Sequence, residues 1–114
     1  FDGGRTSAAV ARAQANVEAL RQRLDDLERH IRLQVTRAHL EMRAAHVATR
    51  VAEGAVAAGE ESRRVSADRY REGVIPSSEL LDAEIALLEA GLERTQALAD
   101  ARLATAELDR AVGR

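Results

Sequence analysis

The chain has 114 residues, of which 46% are hydrophobic but only 2% aromatic, and its 17 basic and 19 acidic side chains leave a formal net charge of -2. That near balance offers no electrostatic attraction for nucleic acid or an anionic membrane, and the lack of cysteine removes disulfides and thiol chemistry. A chain of one modest domain, rich in alanine and with only Phe1 and Tyr70 as aromatics, suits a slim two-layer helical object better than a thick core.

The N-terminal Phe1-Asp2-Gly3-Gly4 reads as a turn or the tail of an extended segment. A start at Phe1 rather than Met marks the sequence as a processed product or an excised piece, and it carries no signal peptide. Residues 1–6 are assigned to this turn, 7–72 to a long helix, 73–77 to a tip and 78–113 to a shorter return helix. Thr6 and Ser7 are the candidate caps of the first helix.

Along the first helix, apolar residues recur at Val10, Ala13, Val17, Leu20, Leu24, Leu27 and Ile31, the alternating three-four spacing of a coiled coil. The stripe continues through Val35, Ala38, Met42, Ala45 and Ala52, with Thr49 as its one polar member. Its hydroxyl can bond back to its own helix. The steps Leu27 to Ile31 and Ile31 to Val35 are both four, which breaks the heptad and relaxes the left-handed supercoil. Gly54 and Gly59 sit inside the pattern, either as tolerated helix glycines or as points of close helix approach. Val51, Ala55, Ala58, Ser62 and Val65 keep a small-residue face through the same stretch.

The break falls at Gly73 and Pro76. Glycine can take a positive φ and end a helix, and proline fits at or near a new start. Ser77 or Ser78 is the expected cap of the second helix, with Glu79 and Asp82 near its positive end. Leu80, Leu81, Ile85, Leu88, Leu92, Ala99 and Leu103 give that helix a wide apolar face, broadened by Leu87, Leu98, Ala101, Leu108 and Val112. An arc that wide touches more than one neighbour. Gly113 is the stop.

The expected fold is therefore all-α: a long antiparallel coiled-coil hairpin with unequal arms. About 65 residues at about 1.5 Å each make the first arm, and about 35 the second. Folded back, the second reaches only to about residue 38, and the stripe from Val10 to Val35 is left for other chains or other parts of a longer parent. No run of 18 apolar residues is present to form a transmembrane helix.

Phe1-Asp2-Gly3-Gly4 resembles the glycine turn where the chain leaves the outer membrane β-barrel in the TolC-like outer membrane efflux protein family. Val35-Thr36-Arg37-Ala38-His39-Leu40 resembles the family's V-x-x-A-Y-L segment, with His39 where tyrosine is common. Arg69-Tyr70-Arg71-Glu72-Gly73-Val74 matches its R-Y-x-x-G-[VL] tip, and Glu79-Leu80-Leu81-Asp82-Ala83 the E/D-L-L-D-A that follows. Ala104, Leu108 and Gly113 resemble the close. The similarity spans the whole chain, and the order and spacing of the motifs make it specific.

In that family a trimer forms a twelve-stranded barrel above an α-helical tunnel, and this chain resembles one of its two repeats of coiled hairpin, the C-terminal one. The resemblance implies an efflux or type I secretion channel in the outer membrane of a Gram-negative-type cell, with this segment in the periplasm. It implies a homo-oligomer, trimeric in the parent (a dimer is open to the isolated fragment), a periplasmic adaptor protein and an inner membrane transporter. It implies no cofactor and no nucleic acid. Tyr70, Glu79 and Asp82 would lie at the entrance gate. Gly73, Val74, Ile75 and Pro76 would form the tip that meets the adaptor. Two departures stand out: Ile75 replaces a gating arginine, and Pro76 replaces the usual serine or threonine cap. The salt-bridged closed gate of the best-known members therefore does not carry over.

Each residue also has a plainer reading. Glu79 and Asp82 are three apart, and acids are favoured in a helix's first turn whatever their use. A lone tyrosine near a helix end is usually packing plus a hydrogen bond. His39 and His46 share a face two turns apart, too far for two ligands on one ion, so His30, His39 and His46 read as ordinary solvent-facing or interfacial side chains. Arg63, Arg64, Arg69 and Arg71 alternate with Glu60, Glu61, Asp68 and Glu72, a solvated helix face laced with ion pairs. No phosphate loop and no catalytic constellation is present, so the reading is not an enzyme. The competing function is an adaptor-type or structural coiled-coil hairpin acting as a protein interaction module. Adaptor hairpins have arms of similar length and flanking lipoyl half-motifs; the duct has repeated hairpins with amphipathic β segments.

Overall fold

A computed structural model describes residues 3–114. Among them are two helices, α1 (Gly3–Arg71, 69 residues) and α2 (Ser77–Ala111, 35 residues), and no strand. The fold is all-α, as the spacing of apolar residues predicts. The chain divides into two compact units, residues 1–37 and residues 38–114.

Helix α1 starts upstream of its expected caps. Gly3 to Thr6 are helical rather than a turn, and Thr6 and Ser7 lie inside the helix. The alanine-rich stretch that follows has high helix propensity, and first-turn amides need no intrahelical acceptor, so two glycines there cost little. Phe1 and Asp2, the rest of the expected turn, lie outside the described residues.

The second unit is an antiparallel hairpin. Thr49 Oγ1 lies 3.2 Å from Ala97 O across the two helices. Ten residues nearer the tip, Gly59 packs on Leu87. In both pairs the partner lies as far after Gly73 as its mate lies before it: 24 residues for the first, 14 for the second. The glycine is thus the pivot of the pairing register. The seam follows the heptad that runs through Ala38, Met42, Ala45, Thr49 and Ala52. Its buried members are Ala38, Thr49 and Ala52 on α1 and Ala101 and Ala104 on α2. Small side chains at these positions let the backbones approach, but each buries little area.

In the first unit Val10, Val17, Leu20, Leu24, Leu27 and Ile31 are all about half exposed or more (45–61%).

Both helices end on the same device. Gly73 has φ +73° and Gly113 φ +84°, the left-handed conformation that glycine takes without steric cost. The Val74 amide donates to Arg69 O at 2.9 Å and the Gly73 amide to Tyr70 O at 3.0 Å. Arg114 to Asp109 O and Gly113 to Arg110 O repeat this at 2.8 and 3.2 Å. This is the Schellman pattern, which satisfies carbonyls a helix end would orphan.

Helix α2 begins differently from expectation. Its N-cap is Pro76 (φ -72°, ψ 160°), with no side-chain cap bond, and Ser77 and Ser78 are already inside the helix. Proline's fixed φ suits the position just before a helix, so the ring sets the start where a serine side chain was expected to. Its carbonyl accepts the Glu79 amide at 3.2 Å.

Candidate functional site

The tip is built from the last turn of α1, residues 72–76, and the first turns of α2. Tyr70 occupies the last turn of α1 with 46% of its surface exposed, and its carbonyl holds the Gly73 amide. Val74 is 63% exposed, whereas Ile75 is half-buried. Pro76 then launches α2. Glu79 falls in the first turn of α2 and Asp82 one turn later, both exposed. Three residues apart, they share a face. Tyr70 and the two acids therefore flank one short turn, with Gly73 to Pro76 between them.

An ion-pair ladder stiffens the approach to this turn. Arg64 donates to Glu61 through Nε (2.9 Å) and Nη2 (2.7 Å), a bidentate pair, and through Nη1 to Asp68 at 3.1 Å. Arg71 donates to the other oxygen of Asp68 at 2.7 Å. The spacings of three and four put all four side chains on one face. The Arg64 guanidinium, by hydrogen bond first and charge second, holds the Glu61 carboxyl below its ordinary value, and Glu61 raises Arg64 in return. Glu61, Arg64 and Arg71 are exposed and Asp68 is half-buried, so the ladder orients the helix face more than it stabilises the fold.

A shallow open groove lies beside the tip, lined by Ser77, Ser78, Leu80, Leu81 and Glu84. Among the described residues no group of three or more His, Cys, Asp and Glu side chains is placed to hold a metal ion. His30 is hydrogen-bonded to Gln34 at 3.1 Å.

The model for outer membrane efflux proteins matches residues 1–114. The chain belongs to the outer membrane efflux protein family. No curated protein and no solved structure matches significantly. The match takes in both helices and the tip, so the R-Y-R-E-G-V and E-L-L-D-A segments sit inside an outer membrane efflux protein domain. Among the described residues of this efflux protein no helix is long and apolar enough to cross a membrane.

One feature of the hairpin escaped the pattern of apolar residues. The Thr49 hydroxyl lies within hydrogen-bond distance of Ala97 O on the opposite helix as well as of its own Ala45 O (3.2 and 3.1 Å), its single proton shared between them. A threonine on the seam register was the available signal, but register alone does not say which carbonyl faces it.

Proposed function

We propose that this chain supplies wall helices to the periplasmic α-barrel of an outer membrane channel for efflux or type I secretion. The observation that carries the reading is that each helix of the hairpin is apolar on two sides. One side of α1 forms the seam; Leu40, Val47, Val51 and Val65 run along another and are 40–68% exposed. On α2, Leu81, Ile85, Leu88 and Leu92 do the same at 46–65% exposed. At the 3.5 residues per turn of a coiled coil, each second stripe lies roughly 150° around the helix from its seam. A helix in a two-helix particle needs one apolar stripe; a helix in a wall needs two. Left in water, each buried-capable leucine forfeits about 1.5–3 kcal/mol. Membership in the efflux family supports a wall over an adaptor hairpin.

On this reading three copies assemble, and Gly73, Val74, Ile75 and Pro76 present the tip to a periplasmic adaptor. Tyr70, Glu79 and Asp82 line the entrance. Two carboxylates per copy would favour cations and focus the field in a narrow passage. They would not transfer protons catalytically, because no partner base or nucleophile accompanies them. Passage is passive, and the energy comes from an inner membrane transporter. With Ile75 in place of a gating arginine, closure relies on apolar and tyrosine contacts. Cysteines placed at Tyr70 and Asp82 in the full-length parent test this. Cross-links between copies should lock the channel and lower its conductance. Unchanged current from both variants, cross-linked or free, would remove the entrance from this part of the chain.

A further inference from the structure

The second stripe of α1 holds a residue that its own hairpin does not account for. Leu40, Ala44, Val47, Val51, Gly54 and Ala58 alternate steps of four and three, a coiled-coil register on the outer side of the helix. Every member is exposed in the single chain. Gly54 takes the heptad position that Val47 and Leu40 hold before it. A Cβ there would meet nothing within 4 Å, so the seam places no demand on it. Yet glycine costs a helix about 1 kcal/mol against alanine. Five residues on, the hairpin shows what a glycine in such a register does, because Gly59 seats Leu87 of the facing helix. On one flank of the outer register Arg43 and Arg50 stand seven residues apart. Both are exposed, and neither has an ion-pair partner among the described residues.

We propose that Gly54 is the seat for a large apolar side chain of an adjoining wall helix, whose flanking carboxylates meet Arg43 and Arg50. This seat rests on the wall reading proposed above. Its occupant is a helix of the kind α2 represents. On the outer side of α2, Leu88 and Leu92 are exposed, with Glu84 and Glu89 exposed beside them. A knob of that size enters where the Cβ is missing, beside Val51 and Ala58, and lets the helices approach more closely than alanine would. Carboxylates next to the knob then lie against the two unpaired guanidiniums, whereas a helix with basic flanks would be repelled.

The temperature at which the full-length parent's trimer dissociates in detergent tests the seat. Gly54→Ala favours the helix itself, so a weaker trimer cannot come from a weaker helix; the dissociation temperature should fall by about 2–8 °C. Gly54→Leu fills the seat and should lower it further. Arg50→Glu should lower it by about 2–4 °C at low salt and less at high salt, and Arg50→Lys should leave it unchanged. Far-UV circular dichroism checks that each variant keeps its helix content. Val51→Asp supplies the control for the stripe as a whole. A trimer indifferent to Val51→Asp would remove the wall reading and the seat together. A trimer broken by Val51→Asp but untouched by Gly54→Leu would leave the wall standing and overturn the seat. A trimer indifferent to Arg50→Glu at low salt would overturn the carboxylate-flanked occupant.

Discussion

Gly59 and Leu87 sit so close across the hairpin that a Cβ on the glycine would lie 3.3 Å from Leu87 Cδ1 and 3.4 Å from its Cα. The first contact is tight and can be relieved by turning the leucine; the second is close van der Waals contact with the backbone of the facing helix. Gly54, five residues earlier on the same helix, has nothing within 4 Å of such a Cβ. The two glycines look alike in the sequence and are opposites in the structure.

Gly54→Ala should therefore raise stability by about 0.5–1 kcal/mol, the usual gain of alanine over glycine in a helix. In Gly59→Ala the same gain is offset by crowding, so its melting temperature should stay at or below that of the parent. Gly59→Val, with more bulk against Leu87, should lower stability by about 1–3 kcal/mol. Thermal melts of the three variants check the order. A Gly59→Val chain as stable as the parent would mean that the arms are not pressed together there.

The turn glycine gives a second contrast. Gly73 holds φ +73° with open space around its Cα. Gly73→Ala meets no clash with neighbours, yet any L side chain pays about 1–2 kcal/mol for that backbone region. Urea titrations should show that loss. A Gly73→Ala chain as stable as the parent would contradict the pivotal role given to Gly73.

Much of this hairpin is legible in the residue spacing, and the failures have identifiable causes. The seam through Ala38, Met42, Ala45, Thr49 and Ala52 follows from a three-four alternation that survives without a gap. On α2, spacing alone merges two stripes into one wide face. Leu87 and Ala101 turn inward and Leu88 and Leu92 outward only because the turn length fixes which heptad phase meets α1. The start of α2 goes to Pro76 rather than a serine because a rigid φ and a side-chain cap are competing solutions to one problem. The tip residues are visible as a motif, but a motif within one chain does not fix what Tyr70 or Asp82 touches.

The alanine seam sets the spacing of the arms, and that spacing is testable. Ala101 is 6% exposed. Ala101→Leu inserts three carbons where the backbones approach, and should cost about 1–3 kcal/mol. Thr49→Val, in contrast, replaces the hydroxyl by a methyl of similar size. The carbonyls of Ala45 and Ala97 keep their own helical amides, so no polar group is orphaned. Its stability should change by no more than about 1 kcal/mol. A large loss in Thr49→Val with little in Ala101→Leu would assign the arm register to the hydroxyl rather than to side-chain size.

The ion-pair ladder makes the last prediction, in pH. Arg64 lowers the pKa of Glu61 in the folded chain, chiefly through the bidentate hydrogen bond. A carboxyl with a depressed folded pKa contributes stability above its unfolded value, and that contribution is lost as pH falls through the folded one. Near neutral pH, Glu61→Gln should therefore melt slightly below the parent in low salt. The gap should close through the carboxylate range as the parent's Glu61 takes up its proton. Raising the ionic strength at neutral pH should narrow the same gap, because both side chains are more than half exposed (61% and 62%). A gap that persists in acid or in high salt would trace the effect to helix propensity or packing at residue 61 instead of to its charge.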